Sequence, residues 1–358
     1  MLSNIILKDN NNFAYASAVI KSKEKALLED GDYIELLDEK LDDFLSVLIE
    51  KGYRMHEDKG GVSFEKIYDW EQWHLFHLID ELIEVSDIPE IKPLFHLSNE
   101  CLNCKLLVKA VFLSDKKEEI ITSEKIDFLN LSAYGLRNQS ELFQFFKVLA
   151  VHPEQIENYA IDDFLYQLGK SILNLDLQKC NPSIFDVLID KYYYDNLFNY
   201  AKAFKSDFLY SLYNIMTGFL NLKNSIRIFY EKKDYHDFEN IALQSNFIDK
   251  EVCEQLFELK FTNITGLFVN NPLYNEIQQM ISTYEKEQNL SLIEKAIDDC
   301  ITLQLSEGLR SAFFNIENIV GYQWAKEIEL KNLKIIYIGK INNLPRENIA
   351  KLLRTSYV

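Results

Sequence analysis

Apolar residues recur at intervals of three and four positions through most of this chain. Because an α-helix returns to the same face about every 3.6 residues, this spacing predicts amphipathic helices, and no stretch convincingly predicts a strand. The apolar run Ile335–Ile338 suits either structure, but similar helices upstream assign it to a helix. Helices are predicted over or near residues 13–28, 33–53, 70–85, 94–113, 138–150, 160–174, 183–200, 204–231, 246–259, 291–305 and 311–337.

The last thirty residues contain the clearest signals for helix ends. A charged helix carrying Asn332-Leu333-Lys334 is predicted to end near Gly339, with Lys340 following a left-handed turn, because glycine tolerates positive φ at a helix end. Pro345 is predicted to open a final amphipathic helix, since its missing N–H is not needed in a first turn. The segment Leu344–Val358 is therefore expected to form the final packed helix.

The Asn-x-Lys core of that stretch occurs twice more, at Asn103-Cys104-Lys105 and at Asn221-Leu222-Lys223. The asparagines are 118 and then 111 residues apart (221 − 103 and 332 − 221). Similar helices at nearly equal spacing predict a triplicated helical unit, because self-similarity at a fixed period outranks local assignments. With boundaries near His152-Pro153 and Thr262-Asn263, we predict three repeats, covering residues 1–151, 152–262 and 263–358.

The repeated asparagines, Asn103, Asn221 and Asn332, are interpreted as structural anchors of the repeats. The residues three positions earlier, on the same helical face, are Glu100, Gly218 and Glu329. A catalytic interpretation would require copies in separate repeats to converge on one site. We expect instead that each asparagine bonds neighbouring backbone, because an amide packed among apolar residues needs hydrogen-bond partners.

Composition supports long helices and limits the class of partner. The 358 residues include only 11 Gly and 6 Pro, fewer turn residues than an all-β chain of this length needs. The length exceeds what a single hydrophobic core usually accommodates, and it suits two or three domains. A formal net charge of −18 disfavours binding to nucleic acid or lying on anionic lipid, and it suits protein partners with basic surfaces.

The cysteines and the apolar runs indicate compartment and topology. The five cysteines are odd in number and widely scattered, which favours a reduced, intracellular protein. The sequence around Met1 has no basic region followed by a long apolar run, so no secretory signal is expected. No 18 consecutive apolar residues occur, so we expect a soluble or peripheral protein without a membrane span.

A search for reactive residues predicts no catalytic, cofactor-binding or metal-binding site. Gly169-Lys170-Ser171 resembles the end of a phosphate-binding loop, but Phe164 stands where that motif requires glycine. Cys101 and Cys104 form a C-x-x-C pair without a second pair, and buried thiols are the expected role. His74 and His77 lie one helical turn apart without an adjacent glutamate, so packing among aromatic residues is expected.

The sequence resembles the d subunit of vacuolar-type ATPases, known as the C subunit in the bacterial and archaeal A/V-type enzymes. The resemblance covers nearly the whole chain. It is most specific in the C-terminal stretch from Glu329 to Val358, which includes Gly339-Lys340-Ile341 and Leu344-Pro345. In the middle of the chain, the run from Asp190 to Tyr193 and the Asn221 helix are similar to the family. Gly218 departs from the family's acidic residue at that position.

This resemblance implies an all-α fold of three similar helical units in a pseudo-threefold, funnel-like arrangement. It implies a non-catalytic central-stalk adaptor that couples the central shaft to the membrane rotor ring during ATP-linked H⁺ or Na⁺ transport. The implied partners are shaft and ring subunits, without nucleic acid or a small-molecule substrate. The implied location is peripheral, on the cytoplasmic face of the membrane. The alternative is a helical scaffold for other proteins, although solenoid repeats usually have periods of about 20–50 residues.

Overall fold

The computed structural model describes residues 2–55, 61–123, 129–160, 162–175, 183–259, 264–310 and 312–358. Every regular element within these ranges is a helix, which confirms the all-α class and places Ile335–Ile338 inside a helix. The chain forms two compact units. We call Glu90–Phe204 the inserted unit, and we call Met1–Pro89 together with Lys205–Val358 the split unit.

The described α-helices are numbered in chain order. Before the insertion they are α1 (Ala14–Glu24), α2 (Asp30–Asp38), α3 (Leu41–Glu50) and α4 (Phe64–Ser86). In the inserted unit they are α5 (Lys92–Leu113), α6 (Lys117–Thr122), α7 (Gln139–Val151), α8 (Ile156–Tyr159), α9 (Asp163–Leu173) and α10 (Ser183–Ala203). After the insertion they are α11 (Asp207–Tyr230), α12 (Tyr235–Ile241), α13 (Lys250–Glu258), α14 (Tyr274–Glu287), α15 (Leu290–Gly308), α16 (Ile316–Ile341) and α17 (Arg346–Ala350).

Short 3₁₀ turns cover Leu2–Asn4, Asn11–Phe13, Pro89–Ile91, Pro153–Gln155 and Ile264–Phe268. Within the ranges that the structure describes, no helix combines the length and apolar character needed to cross a bilayer. The division of the chain into three repeats stays a prediction. Its second boundary, Thr262-Asn263, lies outside the described residues, as does Ser311, where the last long helix was predicted to begin.

The core of the split unit joins its two stretches of chain. Phe64 of α4 stacks on Tyr337 of α16 with ring centroids 4.3 Å apart, and Phe44 of α3 stacks on the same ring at 6.0 Å. Leu333 and Ile336 of α16 are buried in this cluster. Because burial of apolar surface is the main driving force of folding, α2–α4 and α16–α17 stabilise one another.

The single helix predicted over residues 33–53 was wrong, because the chain forms α2 and α3 with Glu39 and Lys40 between them. Lys340 of α16 donates hydrogen bonds to the main-chain oxygens of Leu37 and Glu39. These bonds satisfy carbonyl groups at the end of α2. A tertiary contact therefore stabilises a helix end that local periodicity does not reveal.

Two predictions at the C-terminal end were also wrong. α16 ends at Ile341, near the predicted end, but the left-handed turn predicted at Gly339 is absent and the left-handed residue is Asn343, with a φ of 52°. Pro345 directly precedes α17, as predicted, but that helix ends at Ala350. The remaining residues form a turn and then a tail without regular structure instead of a packed helix.

Gly339 allows close packing rather than a positive φ. A Cβ atom at this position would lie 2.7 Å from two side-chain carbons of Ile349 in α17. Ile349 is only 4% exposed and belongs to the core of the split unit. Because a heavy-atom contact below 3 Å forces neighbouring groups to move, the glycine lets α17 lie directly against α16.

Replacing Gly339 by alanine is expected to destabilise the protein by about 1–2 kcal/mol. Overpacking costs about 1–3 kcal/mol, and the better helix propensity of alanine offsets up to about 1 kcal/mol of that. Gly31→Ala is the matched control, because Gly31 also lies in a helix but a Cβ there would meet nothing within 4 Å. Urea denaturation should show Gly31→Ala to be neutral or stabilising; equal stability of the two variants would contradict this account.

Candidate functional site

Three long helices, α5, α11 and α16, carry the predicted anchors Asn103, Asn221 and Asn332. All three side chains are fully buried. A short helix follows each long one, namely α6, α12 and α17, and a segment without regular structure comes later in the chain. The same order of elements therefore surrounds each asparagine.

Asn103 and Asn332 bind main chain in the same way. Nδ2 of Asn103 donates to the carbonyl oxygen of Ser132 at 2.9 Å, and its Oδ1 accepts from the N–H of Ser132 at 2.7 Å. Asn332 makes the matching pair of bonds to Arg354, at 2.9 and 2.8 Å. A side-chain amide has the donor and acceptor of a peptide group, so each asparagine supplies the backbone partner that a segment without regular structure lacks.

Asn221 makes the same pair of bonds with Leu243, both at 2.9 Å, and donates a further bond to the carbonyl oxygen of Ile248 at 3.2 Å. The bonded residue lies 29 positions after Asn103 and 22 positions after each of the other two asparagines. Each asparagine therefore binds its own irregular segment. That the three mark copies of one repeat stays a prediction.

The position three residues before each asparagine is occupied in different ways. Glu100 is fully buried and accepts from Nη1 of Arg137 at 2.5 Å, and Arg137 also pairs with Asp162. At Gly218 a Cβ atom would lie 2.6 Å from the ring of Phe247. In the middle of the chain, the Phe247 ring thus occupies the space that an acidic side chain would need.

Glu329, the third residue of this set, belongs to a buried ion cluster with Lys326 and Glu71. Nζ of Lys326 lies 2.6 Å from Glu329 and 2.7 Å from Glu71, and the side chains of Lys326, Glu329 and Glu71 are only 12%, 2% and 10% exposed. Glu329 also accepts the N–H of Leu28 at 2.7 Å. Burial alone would lower the pKa of Lys326, but the two carboxylates raise it above its ordinary value. The cluster joins α16 to α4 and to the turn after α1.

The lysine two residues after each asparagine contacts a neighbouring long helix. The contacted helices are α10, α15 and α4, in that order. Partly exposed pairs of this kind contribute only about 0–1 kcal/mol, so they help to select the packing partner more than they stabilise the fold. The contacts are Lys105–Asp190 at 2.5 Å, Lys223–Glu294 at 3.2 Å, and Lys334 over the Tyr68 ring, 5.2 Å from its centroid.

The other candidates from the sequence lie in packed helices. Cys101 and Cys104 are both buried within α5, and burial raises the pKa of each thiol, so neither is a reactive thiolate at neutral pH. Gly169-Lys170-Ser171 lies inside α9, not before a helix, and Gly169 packs against Phe145. In the described part of the chain, no three His, Cys, Asp or Glu side chains are grouped to hold a metal ion.

The two histidines of α4 have different surroundings. His77 stacks on Trp73 with ring centres 4.9 Å apart and is half exposed. His74 is half-buried, and burial together with the nearby Lys23 ammonium lowers its pKa. His74 is therefore neutral at pH 7.

The residues that the anchors bind were not predicted from the sequence. Ser132, Leu243 and Arg354 share no residue type, because only their main-chain groups are recognised. The order of elements could have located them, because each bonded residue lies in an irregular segment that follows a long and a short helix. The pairing of Lys326 with Glu71 has no local signal, because the two residues are far apart in the chain.

Comparison with known proteins gives one consistent result. The sequence profile of the family described as ATP synthase (C/AC39) subunit matches residues 16–352. The C subunit of the A-type ATP synthase from Methanocaldococcus jannaschii is 25% identical over 355 residues, covering 95% of this chain and 86% of that protein. The protein of the same name from Methanosphaera stadtmanae is 21% identical over 363 residues, covering 95% and 87%. The one from Methanobrevibacter smithii is 25% identical over 171 residues, covering 46% and 44%.

Proposed function

Because this chain belongs to the family of ATP synthase (C/AC39) subunits, we propose that it is a non-catalytic central-stalk adaptor of a rotary V/A-type ATPase. In this role it couples the central shaft to the membrane rotor ring, so that ATP turnover is linked to H⁺ or Na⁺ transport. The adaptor acts at the cytoplasmic face of the membrane as a peripheral part of the complex. The family match over residues 16–352 is the observation that carries the proposal.

The proposal includes three helical repeats, over residues 1–151, 152–262 and 263–358, around a pseudo-threefold axis in the form of a funnel. Its support is the order of local contacts. α5 packs against α10, α11 against α15, and α16 against α4, so each long helix meets the helix that directly precedes the next long helix. The same kind of packing partner therefore recurs at each long helix, as three copies of one helical unit would predict.

Transmission of torque requires a body that resists shear. Packed helical cores repack between discrete arrangements and do not deform smoothly, so they suit this role. The asparagine anchors and the buried ion cluster add bonds that hold tail and loop segments to the long helices. The net charge of −18 favours basic surfaces on the shaft or ring subunits that this chain would contact.

Membranes prepared without this protein are expected to lose the coupling of ATP hydrolysis to ion transport. Hydrolysis should continue or fall only partly, because the proposal assigns no chemistry to the chain. Transport should fall to background and return when the purified full-length chain is added, with heat-denatured chain as the control. Coupled transport at the original rate in its absence would refute the adaptor role, and stable co-purification with unrelated proteins alone would favour a scaffold.

A further inference from the structure

A cavity of about 380 Å³ lies within the split unit, between α1, the end of α3, α4 and α16. It is lined by four basic side chains, Lys23, Lys51, Arg54 and Lys326, and by one acidic side chain, Glu71. We call this cavity the basic cleft. Four basic side chains around one cavity are unexpected in a chain with a net charge of −18.

Two of the four cations have their charge balanced within the protein. Lys326 is held by both carboxylates of the buried ion cluster, so Glu71 is already paired. Lys51 lies 2.6 Å from each of Asp32 and Glu35. Lys23 and Arg54 form no ion pair among the described residues. Lys23 and Arg54 are therefore the cleft cations that remain available to pair with an external anion.

The fold holds Lys23 and Arg54 at the same opening. α3 ends in a glycine turn, in which Gly52 has a φ of 96° and the N–H of Tyr53 bonds back to Leu48. This turn reverses the chain and directs Arg54 to the cleft. Lys23 reaches the cleft from the last turn of α1. The two cations thus come from different elements that the core holds in place.

Aromatic rings line the cleft beside the charged groups. His74 is neutral there, because burial and then the Lys23 ammonium group lower its pKa. Trp70 of the same helix adds a flat aromatic surface. The volume falls within the range of small-ligand pockets, about 300–1,000 Å³, which combine apolar walls with a few polar groups.

We infer that the basic cleft binds a small phosphate-bearing anion, with Lys23 and Arg54 neutralising its charge and Trp70 forming one wall. Arg54 can donate two parallel hydrogen bonds to one phosphate group, and Lys23 supplies a compact ammonium charge from the other side. The site is distinct from the asparagine anchors and does not depend on the proposed adaptor function. A phosphate ester and free phosphate share this chemistry, so the experiment has to separate them.

The test is titration of the full-length chain, at constant ionic strength, with inorganic phosphate, pyrophosphate and ADP, followed by calorimetry and by tryptophan fluorescence. We expect saturable binding of at least one of them, with the fluorescence change lost in Trp70→Phe. Equal binding of pyrophosphate and ADP would show that the phosphates alone are recognised, and tighter binding of ADP would show that the aromatic wall contributes. Absence of saturable binding for all three up to roughly 10 mM would overturn the inference.

Lys23→Gln and Arg54→Gln are each expected to weaken binding by about tenfold or more, because hydrogen bonds to charged groups are the strong ones. Lys25→Gln is the matched control, since Lys25 is exposed just after α1 and does not line the cleft. Thermal denaturation should be unchanged in all three variants, because none of the three side chains has a buried ion-pair partner in the described part of the chain. Unchanged affinity in both cleft variants would place the anion elsewhere and reject the site.

Discussion

Replacing Lys326 by methionine is expected to lower the free energy of unfolding by about 3–5 kcal/mol. The change leaves the carboxylates of Glu71 and Glu329 buried without their common cation. Removing one partner of a buried ion pair is more harmful than losing its net attraction, because the remaining charge is desolvated and uncompensated. Chemical denaturation monitored by circular dichroism measures the loss.

The pH dependence gives this prediction a second check. The pKa of Lys326 is raised in the folded protein, so its stabilising charge is fully present below the ordinary lysine pKa. It is lost only when the pH rises through the higher, folded-state pKa. The difference in the free energy of unfolding between wild type and Lys326→Met should therefore persist from neutral pH into the moderately alkaline range.

Two comparison variants separate charge burial from general damage. Lys21→Gln removes a helical pair with Glu24 in which the lysine is 41% exposed, and it should cost no more than about 1 kcal/mol. Adding Glu71→Gln and Glu329→Gln to Lys326→Met should restore much of the lost stability, since no uncompensated charge then remains. If Lys326→Met lowered the free energy of unfolding as little as Lys21→Gln, water would have to hydrate the two carboxylates, and this account of buried charge would be wrong.

Asn221→Leu is expected to destabilise the protein by about 3 kcal/mol or more. Leucine has nearly the same volume but leaves the N–H and carbonyl of Leu243 and the carbonyl of Ile248 without their partners. Each unpaired buried group costs about 1–3 kcal/mol. Hydrogen exchange should also show a faster rate at the Leu243 amide than at amides in the middle of α11.

Asn342→Leu is the matched control for this prediction. Asn342 caps the end of α16, is exposed, and bonds only the carbonyl of Ile338 through its side chain. Its replacement should change stability by less than about 1 kcal/mol, as surface substitutions usually do. Similar losses of stability in Asn221→Leu and Asn342→Leu would mean that the buried hydrogen bonds of Asn221 do not stabilise the fold.

The sequence was sufficient to predict the helices that carry their own boundary signals. Asn138 caps α7 and Asp249 caps α13 with their side chains, and both helix starts were predicted near these positions. The long α16 was predicted from its spacing, but the left-handed turn was placed at Gly339 instead of Asn343. Its last turn extends past Gly339 because that glycine serves the packing of α17. Glycine alone does not distinguish a helix end from a close contact.

The features that depend on distant residues could not be predicted from local patterns. The break between α2 and α3 depends on Lys340, about 300 residues later in the chain. The three asparagines were identified from their repetition, but their partners are main-chain groups of residues that have no common side chain. Local periodicity reports which face of a helix is buried, and it does not report what covers that face.

The insertion of residues Glu90–Phe204 into the split unit has a consequence for synthesis of the protein. The apolar face of α4 is covered by α16, yet about 230 residues separate Ser86 from Ile316 (316 − 86). At roughly 5–20 residues per second, a ribosome needs about 10–50 s to make that stretch. During this time nascent α2–α4 expose Phe44 and Phe64 to solvent, so chaperone binding should be strongest on chains stalled before α16.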